Sequence, residues 1–424
     1  MVAEGAEGLE AVAGAFCRAV LCLGLGVGFV SNLNQFRMPY FDHNATTPLV
    51  PVAREAWLQA STELWQNPAS PYRDAARVKI RFDALRSRLA EFIGCAADEI
   101  VFTSGATEGA NAILAYWARI FPPNSRIAVS RSEHPCLLEA AKLNFGERIV
   151  WLDVTSEGMV KTDWLKSELS ETMKSPAPIL GVVLMAANNE TGVLQPWAEI
   201  AALCRAARVS YLCDAAQWLG KLPAAGLGAA DWLIASAHKF GGPKGVGFLR
   251  RPPGAEGFVA QVGGTQQRGH RAGTEDLPSA AAMVSALAEA EQKKVLLETE
   301  RLRWRETFER DVCARISGAR VIGAGAERLW NTVSLLMPHT ENSRWVTRLD
   351  KAGFQVSTGS ACATGKAGPS HVLTAQGMDA AEAKRVIRIS ASWETTHAEW
   401  NALATALVSL ENEFRADKGT VVQL

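Results

Sequence analysis

Six short apolar runs, rich in β-branched residues and alternating with helix-like segments, constrain this chain more than any other feature. They fall at residues 99–103, 126–130, 148–153, 179–185, 210–214 and 232–235, and helical patterns occupy 110–120, 136–144 and 197–208. Strand, helix, strand, repeated in that order, predicts a mainly parallel sheet covered on both faces. Sheets of this kind bind ligands at the carboxyl ends of their strands. The residues that matter are therefore sought where the apolar runs stop.

The run at 232–235 leads into Ser236-Ala-His238-Lys239 and then into Gly241, Gly242, Gly245 and Gly247. A strand end fixes the amine of Lys239, apolar neighbours lower its pKa, and glycines let the backbone approach a bulky ligand. A Schiff base with pyridoxal phosphate (PLP) fits; taken alone, so does a surface lysine opening a Gly-Pro turn. Ala106 and Thr107 stand between the run at 99–103 and a helix, where N–H groups and a hydroxyl can hold a phosphate or simply cap the helix. Asn188 and Asn189 follow the run at 179–185, a cluster of amides costly to bury without partners. Asp214 ends another run and Gln217 follows it. A carboxylate there can keep a pyridine nitrogen protonated, or serve as a cap or a salt-bridge partner. His134, in Glu133-His-Pro135, can stack on a ring or shuttle a proton, or play a purely structural part.

Composition narrows the class. The 44 basic and 44 acidic residues cancel, so nothing suggests a nucleic-acid footprint or a charged tail. The 424 residues are enough for a large domain and a smaller one. Cysteines at 17, 22, 95, 136, 204, 213, 313 and 362 show no Cys-x-x-Cys pair and no zinc spacing, which reads as a reduced, cytoplasmic setting without disulfides or a metal. Residues 11–30 are almost uninterruptedly apolar, long enough to span a bilayer, but Arg18 and three glycines interrupt them. Glu4, Glu7 and Glu10 precede them where a secretory signal carries positive charge. We expect 1–37 to be an extension or a start-site artefact, with Met38 the true start, and a membrane anchor to be the weaker reading. Beyond about residue 290 a long charged helix, 288–314, leads into shorter elements. The expected division is 38–53 with the small domain, 54–290 as the large domain, and 291–424 as a small α+β domain.

The order of motifs resembles the cysteine desulfurases, within the class V aminotransferase-like PLP enzymes of fold type I. The resemblance runs from Tyr40 to about Glu413 through Asp42-His-Asn-Ala-Thr-Thr-Pro48, Phe102-Thr-Ser-Gly-Ala-Thr-Glu108, Glu133-His-Pro135, Asn188-Asn-Glu-Thr-Gly192, Asp214-Ala-Ala-Gln217 and Ser236-Ala-His-Lys239. It continues through Arg268-Gly-His-Arg-Ala-Gly-Thr274, Ser357-Thr-Gly-Ser-Ala-Cys362, Pro369-Ser-His-Val-Leu373 and Arg388-Ile-Ser390. It implies an α/β fold whose large domain carries a mainly parallel seven-stranded sheet flanked by helices, with a smaller α+β domain. It also implies that Lys239 links PLP covalently and moves the substrate's protons, that Asp214 pairs with the pyridine nitrogen, and that His134 stacks on the ring. Asn189 and Gln217 would bond the ring hydroxyl. Ala106, Thr107, Ser236 and His238 would hold the phosphate, joined by Thr274 from the other subunit of a homodimer. Arg388, with Asn189 beside it, would grip the substrate carboxylate.

Cys362 separates desulfurases from the family's other chemistries. It lies between Gly359 and Gly365 with Pro369 beyond, the composition of a loop. A thiolate there can take the sulfur of L-cysteine as a persulfide, leaving alanine, and pass it to an acceptor protein such as an iron–sulfur scaffold, or to thio-cofactor and tRNA thiolation. Departures from the family pattern are Tyr72 where histidine is usual, Gly263-Gly-Thr-Gln-Gln-Arg-Gly269, and Ser390-Ala-Ser-Trp393. None removes a group with a proposed role. Selenocysteine lyase or cysteine sulfinate desulfinase is the neighbouring alternative, and a PLP-fold binding protein without catalysis is the alternative of another class.

Overall fold

The computed structural model describes residues 38–359 and 369–421. The expectations for 1–37 and for Cys362 lie outside the described residues. From Tyr40 onward the chain is one unit; of the other, Met1–Pro39, only Met38 and Pro39 are described.

The strands of the main sheet are β1 Ile100–Thr103, β2 Arg126–Ser130, β3 Ile149–Leu152, β4 Ile179–Val183, β5 Ser210–Asp214, β6 Trp232–Ser236 and β7 Gly247–Arg250. Their spatial order is β1-β7-β6-β5-β4-β2-β3. Every pairing from β6 to β3 is parallel, while β7 lies antiparallel to both β1 and β6. The apolar runs correspond to β1 through β6, with shifts of a residue or two at their ends. Beyond Val183 the bonds to β5 continue, with Leu184 N donating to Leu212 O at 3.1 Å and Ala186 N to Asp214 O at 2.9 Å. No periodicity signals β7: it is Gly-Phe-Leu-Arg behind a glycine-rich turn, and it is a strand because it finds a partner on each side.

Successive residues of each strand serve opposite faces. Val182, Tyr211, Cys213 and Leu233 join one core, and Val183, Leu212 and Ile234 the other. Helices Ala106–Ile120 and Pro135–Phe145 cover the second face with Ile113, Trp117 and Leu137. Helices Arg73–Ile93, Trp197–Ala207 and the first turns of Leu277–Arg315 cover the first with Leu89, Ile200 and Met283. Each such side chain contributes roughly 1.5–3 kcal/mol on burial. Two-sided burial therefore holds the sheet and keeps its strand ends in register.

A second sheet, in the order β10-β9-β8, is antiparallel and contains β8 Arg320–Val321, β9 Thr332–Leu336 and β10 Val386–Ser390. Helices Asn342–Lys351 and His397–Val421 bury Trp345 and Trp400 in its core. The long helix predicted over 288–314 begins earlier, at Leu277, where Asp276 caps Ser279 N at 3.0 Å and proline stands in the first turn. Its alanine-rich start lies in the core of the main sheet, and its Phe308 and Val312 lie in the core of the second. No helix among the described residues is long and apolar enough to cross a membrane.

The chain after Tyr40 stitches the two sheets together where it matters. Phe41 is buried in the second core, and its O accepts from Ser390 N at 2.7 Å, at the end of β10. A few residues on, Thr47 N donates to His238 O at 2.8 Å and Val50 N to Gly241 O at 2.9 Å. One short segment thus ties the strand carrying Arg388 to the turn carrying Lys239.

Candidate active site

A cavity of about 220 Å³ lies at the carboxyl ends of the parallel strands. Ala106, Thr107, His134, Asn189, Asp214, Gln217, Ser236, His238 and Lys239 all line it. Nine residues singled out at the ends of separate runs are therefore brought into one space by the sheet. Cys136, Met185, Ala187 and Ala216 complete the lining.

Lys239 ends the turn after β6, with Nζ 2.8 Å from both Asn44 O and Ala45 O. Burial first, and then the Arg388 guanidinium, push its pKa down to about 8 against the pull of Asp214. Asp214, buried at the end of β5, accepts from Ala216 N through Oδ1 at 2.8 Å. Burial raises its pKa to about 6, opposed by that hydrogen bond and by Lys239.

His134 caps the helix that follows β2. Its Nδ1 accepts from Cys136 N at 3.2 Å and lies 3.1 Å from Cys136 Sγ. A backbone N–H can only donate, so the ring proton sits on Nε2. Burial first, and then Lys239, push this imidazole down to about 4, so it is neutral near pH 7.

Ala106 and Thr107 open helix Ala106–Ile120, whose N-cap residue Gly105 supplies no side-chain cap. Ala106 N donates to Ser236 Oγ at 2.8 Å, and His238 Nδ1 lies 3.2 Å from Thr46 Oγ1. Gly247 makes this approach of strand ends feasible. A Cβ there would lie 2.3 Å from Ala235 O and 2.7 Å from Gly105 Cα. The N–H groups at the helix start, two hydroxyls and an imidazole make a set of anion donors.

The Asn188 amide after β4 is satisfied rather than strained. Asn188 Oδ1 accepts from Glu190 N at 2.9 Å and Thr191 N at 3.0 Å, while Nδ2 reaches Ser132 O at 3.1 Å. This turn presents Asn189 O to Arg388 Nη1 at 3.1 Å. Arg388, buried on β10, also meets Gly359 O at 2.9 Å and Asp42 Oδ1 at 2.6 Å. Its Nε has no partner among the described residues. A buried guanidinium with an uncommitted N–H is suited to a carboxylate ligand.

Thr274 is exposed and does not line the cavity in this chain. Three groups at the site received no role from the sequence. Cys136 is legible in hindsight, two positions after His134 and just past a proline. Glu133 is fully buried, with Oε1 accepting from Met185 N at 2.5 Å and Oε2 without a partner among the described residues. Burial, then Asp214, raises its pKa to about 8. Lys221 is buried as well, and nothing in its local sequence distinguishes it from a surface lysine.

The aminotransferase class-V family matches residues 39–403. A cysteine desulfurase of Cereibacter sphaeroides is 36% identical over 383 residues, which cover 89% of this chain and 96% of that protein. The IscS cysteine desulfurase of Dictyoglomus turgidum is 34% identical over 387 residues, covering 89% and 96%. Among solved structures, a NifS-like protein superposes with a TM-score of 0.79 at 28% identity, covering 88% of this chain and 99% of its own.

Proposed function

Since the chain belongs to the class-V aminotransferase family, we propose that it is a PLP-dependent cysteine desulfurase. One observation carries the reading: eight separately placed polar and small residues line a single cavity with Lys239, and relatives at 34–36% identity bear that name. The residues fit the cofactor. Lys239 offers an amine brought near neutrality and held by carbonyls rather than by a carboxylate. Asp214 would hold the proton of the pyridine nitrogen, and Ala106, Thr107, Ser236 and His238 would hold the phosphate. When bound, PLP supplies an electron sink for bonds at the substrate's α-carbon.

The chain's own residues do the rest. Arg388 binds the substrate carboxylate, with its uncommitted Nε and with Asp42 as a partner that can be shared. Lys239 takes and returns the proton at Cα. His134, neutral and protonated on Nε2, covers the ring. Cys362 receives the sulfur, so that L-cysteine and the Cys362 thiol become L-alanine and a Cys362 persulfide, without an external oxidant. The persulfide then serves a sulfur-acceptor protein, such as an iron–sulfur scaffold, in the cytoplasm. Five cysteines among the described residues are free thiols, as a reducing compartment maintains them.

The protein works as a homodimer in this reading. Thr274 is exposed at the position the family uses across subunits, and Trp57, Leu58, Trp65, Ile80 and Val262 present large apolar side chains to solvent. The deciding experiment for the reaction is Cys362→Ala. The variant should bind PLP and L-cysteine as wild type does, yet lose sulfide and alanine production by about 100-fold or more. Full cysteine-dependent activity in that variant would reject Cys362 as the acceptor, and preferential turnover of selenocysteine would move the assignment to a lyase.

A further inference from the structure

Lys221 is 4% exposed, and among the described residues no carboxylate pairs with it. Burying an amine this way is costly unless its hydrogen bonds are used. Both go to one residue: Lys221 Nζ donates to Gln217 Oε1 at 2.7 Å and to Gln217 O at 3.2 Å. Gln217 lines the cavity, and its Nε2 donates to Asn44 O at 2.9 Å. Asn44 O also receives Lys239 Nζ at 2.8 Å. A buried amine, a cavity amide and the lysine of the site are thus joined through one carbonyl.

The pattern fixes which way the Gln217 amide points. Turned over, its NH2 group would face the hydrogens of Lys221 and its oxygen would face Asn44 O, losing both bonds. Held as it is, Gln217 has its oxygen committed to Lys221 and one N–H committed to Asn44, which leaves the second N–H to offer a ligand. Burial, with Lys239 and Arg388 nearby, pushes the Lys221 amine well below the ordinary lysine range. As an ammonium Lys221 can only donate; as a neutral amine it could also accept from a turned amide, but the amide oxygen would then still face Asn44 O, so the observed orientation keeps both bonds in either state.

We infer that Lys221 is a positioning residue for the cofactor: it holds the Gln217 amide so that an N–H, and not an oxygen, meets the ring oxygen of PLP. This deepens the PLP reading above and rests on it. The ring oxygen would then be favoured as its anion.

The test is a PLP titration of apo-protein, followed by tryptophan fluorescence and visible absorbance. Lys221→Met retains the length and apolar stem but cannot donate. It should fold with a wild-type far-UV spectrum, bind PLP about tenfold more weakly, and raise the pH midpoint of the bound cofactor's visible absorbance. Placed in a Gln217→Ala background it should add nothing, since it acts only through that amide. Wild-type affinity and an unshifted midpoint in Lys221→Met would overturn the inference, and so would equal losses in both backgrounds. If Lys221→Met does not fold, Lys221→Ala in a Gln217→Ala chain and in wild type is read by the same two measurements. Failure of the wild-type chain itself to bind PLP would overturn the cofactor assignment, and this inference with it.

Discussion

Lys239 Nζ rests on two carbonyl oxygens, so burial and Arg388 outweigh Asp214 and bring its amine down to about 8. Only the neutral amine attacks an aldehyde. The rate at which apo-protein links PLP should therefore rise about tenfold per pH unit up to roughly pH 8, and level off above it. Stopped-flow absorbance measures this, and a rate already level below pH 7 would contradict the assigned ionisation. Glu133 makes the opposite demand. Its pKa is raised from 4.5 to about 8, so the folded chain holds the proton more tightly than the unfolded one. The stability it contributes is present at low pH and is lost as pH rises from the unfolded value through about 8. Glu133→Gln keeps an acceptor for Met185 N and removes the titration. Apo-protein melts of the variant and wild type should differ by a constant amount below pH 4.5, diverge progressively in the variant's favour as pH rises from there to about 8, and run parallel above it; divergence in the other direction would refute the sign. Asp214 was legible because it ends an apolar run, and Lys239 and His134 because each follows closely on one. Glu133 and Lys221 draw their character from burial, which local sequence does not encode.

At the level of strands and turns, the site depends on how closely β6, β7 and the turn after β1 approach. Gly247 is where they meet, and the atoms a Cβ would strike, Ala235 O and Gly105 Cα, are backbone that cannot swing aside. Gly247→Ala should cost about 1–3 kcal/mol, and should weaken PLP binding by moving Ala106 and Ser236 apart. Thermal melts and a PLP titration of the same sample check both, and a variant as stable as wild type would show that the sheet yields there. The sequence displayed β1 through β6 because their apolar runs are self-evident, but not β7. A four-residue antiparallel strand gains its stability from neighbours on either side, so no periodicity of its own is required. The start of the long helix at Leu277 escaped for a similar reason: its alanine-rich turns resemble the preceding core segments, and only packing makes them one helix with the charged stretch.

On the scale of the whole molecule, the chain supplies thirteen cavity residues, nine of them anticipated from the sequence, and leaves Thr274 exposed. If Thr274 acts on a partner's cofactor, mixing inactive Lys239→Ala chains with impaired Thr274→Ala chains must regenerate one intact site per hybrid dimer. The expected result is activity in the mixture well above either parent after subunit exchange, with dimer mass by light scattering. Recovery no greater than the average of the parents would place Thr274 in its own subunit's site or outside both.

The amino-acid order by itself determined the α/β class and pointed to Lys239, Asp214 and His134 as candidates at strand ends, because apolar period and the polar residue that breaks it are local properties; Arg388 was singled out only by the family resemblance. What only the tertiary structure decided is everything set by burial and by meetings across long separations. The tautomer of His134 follows from a helix cap, and the aim of Arg388 from Asp42, 346 positions away. The orientation of Gln217 follows from Lys221, a lysine that sequence alone leaves at the surface and the fold puts inside.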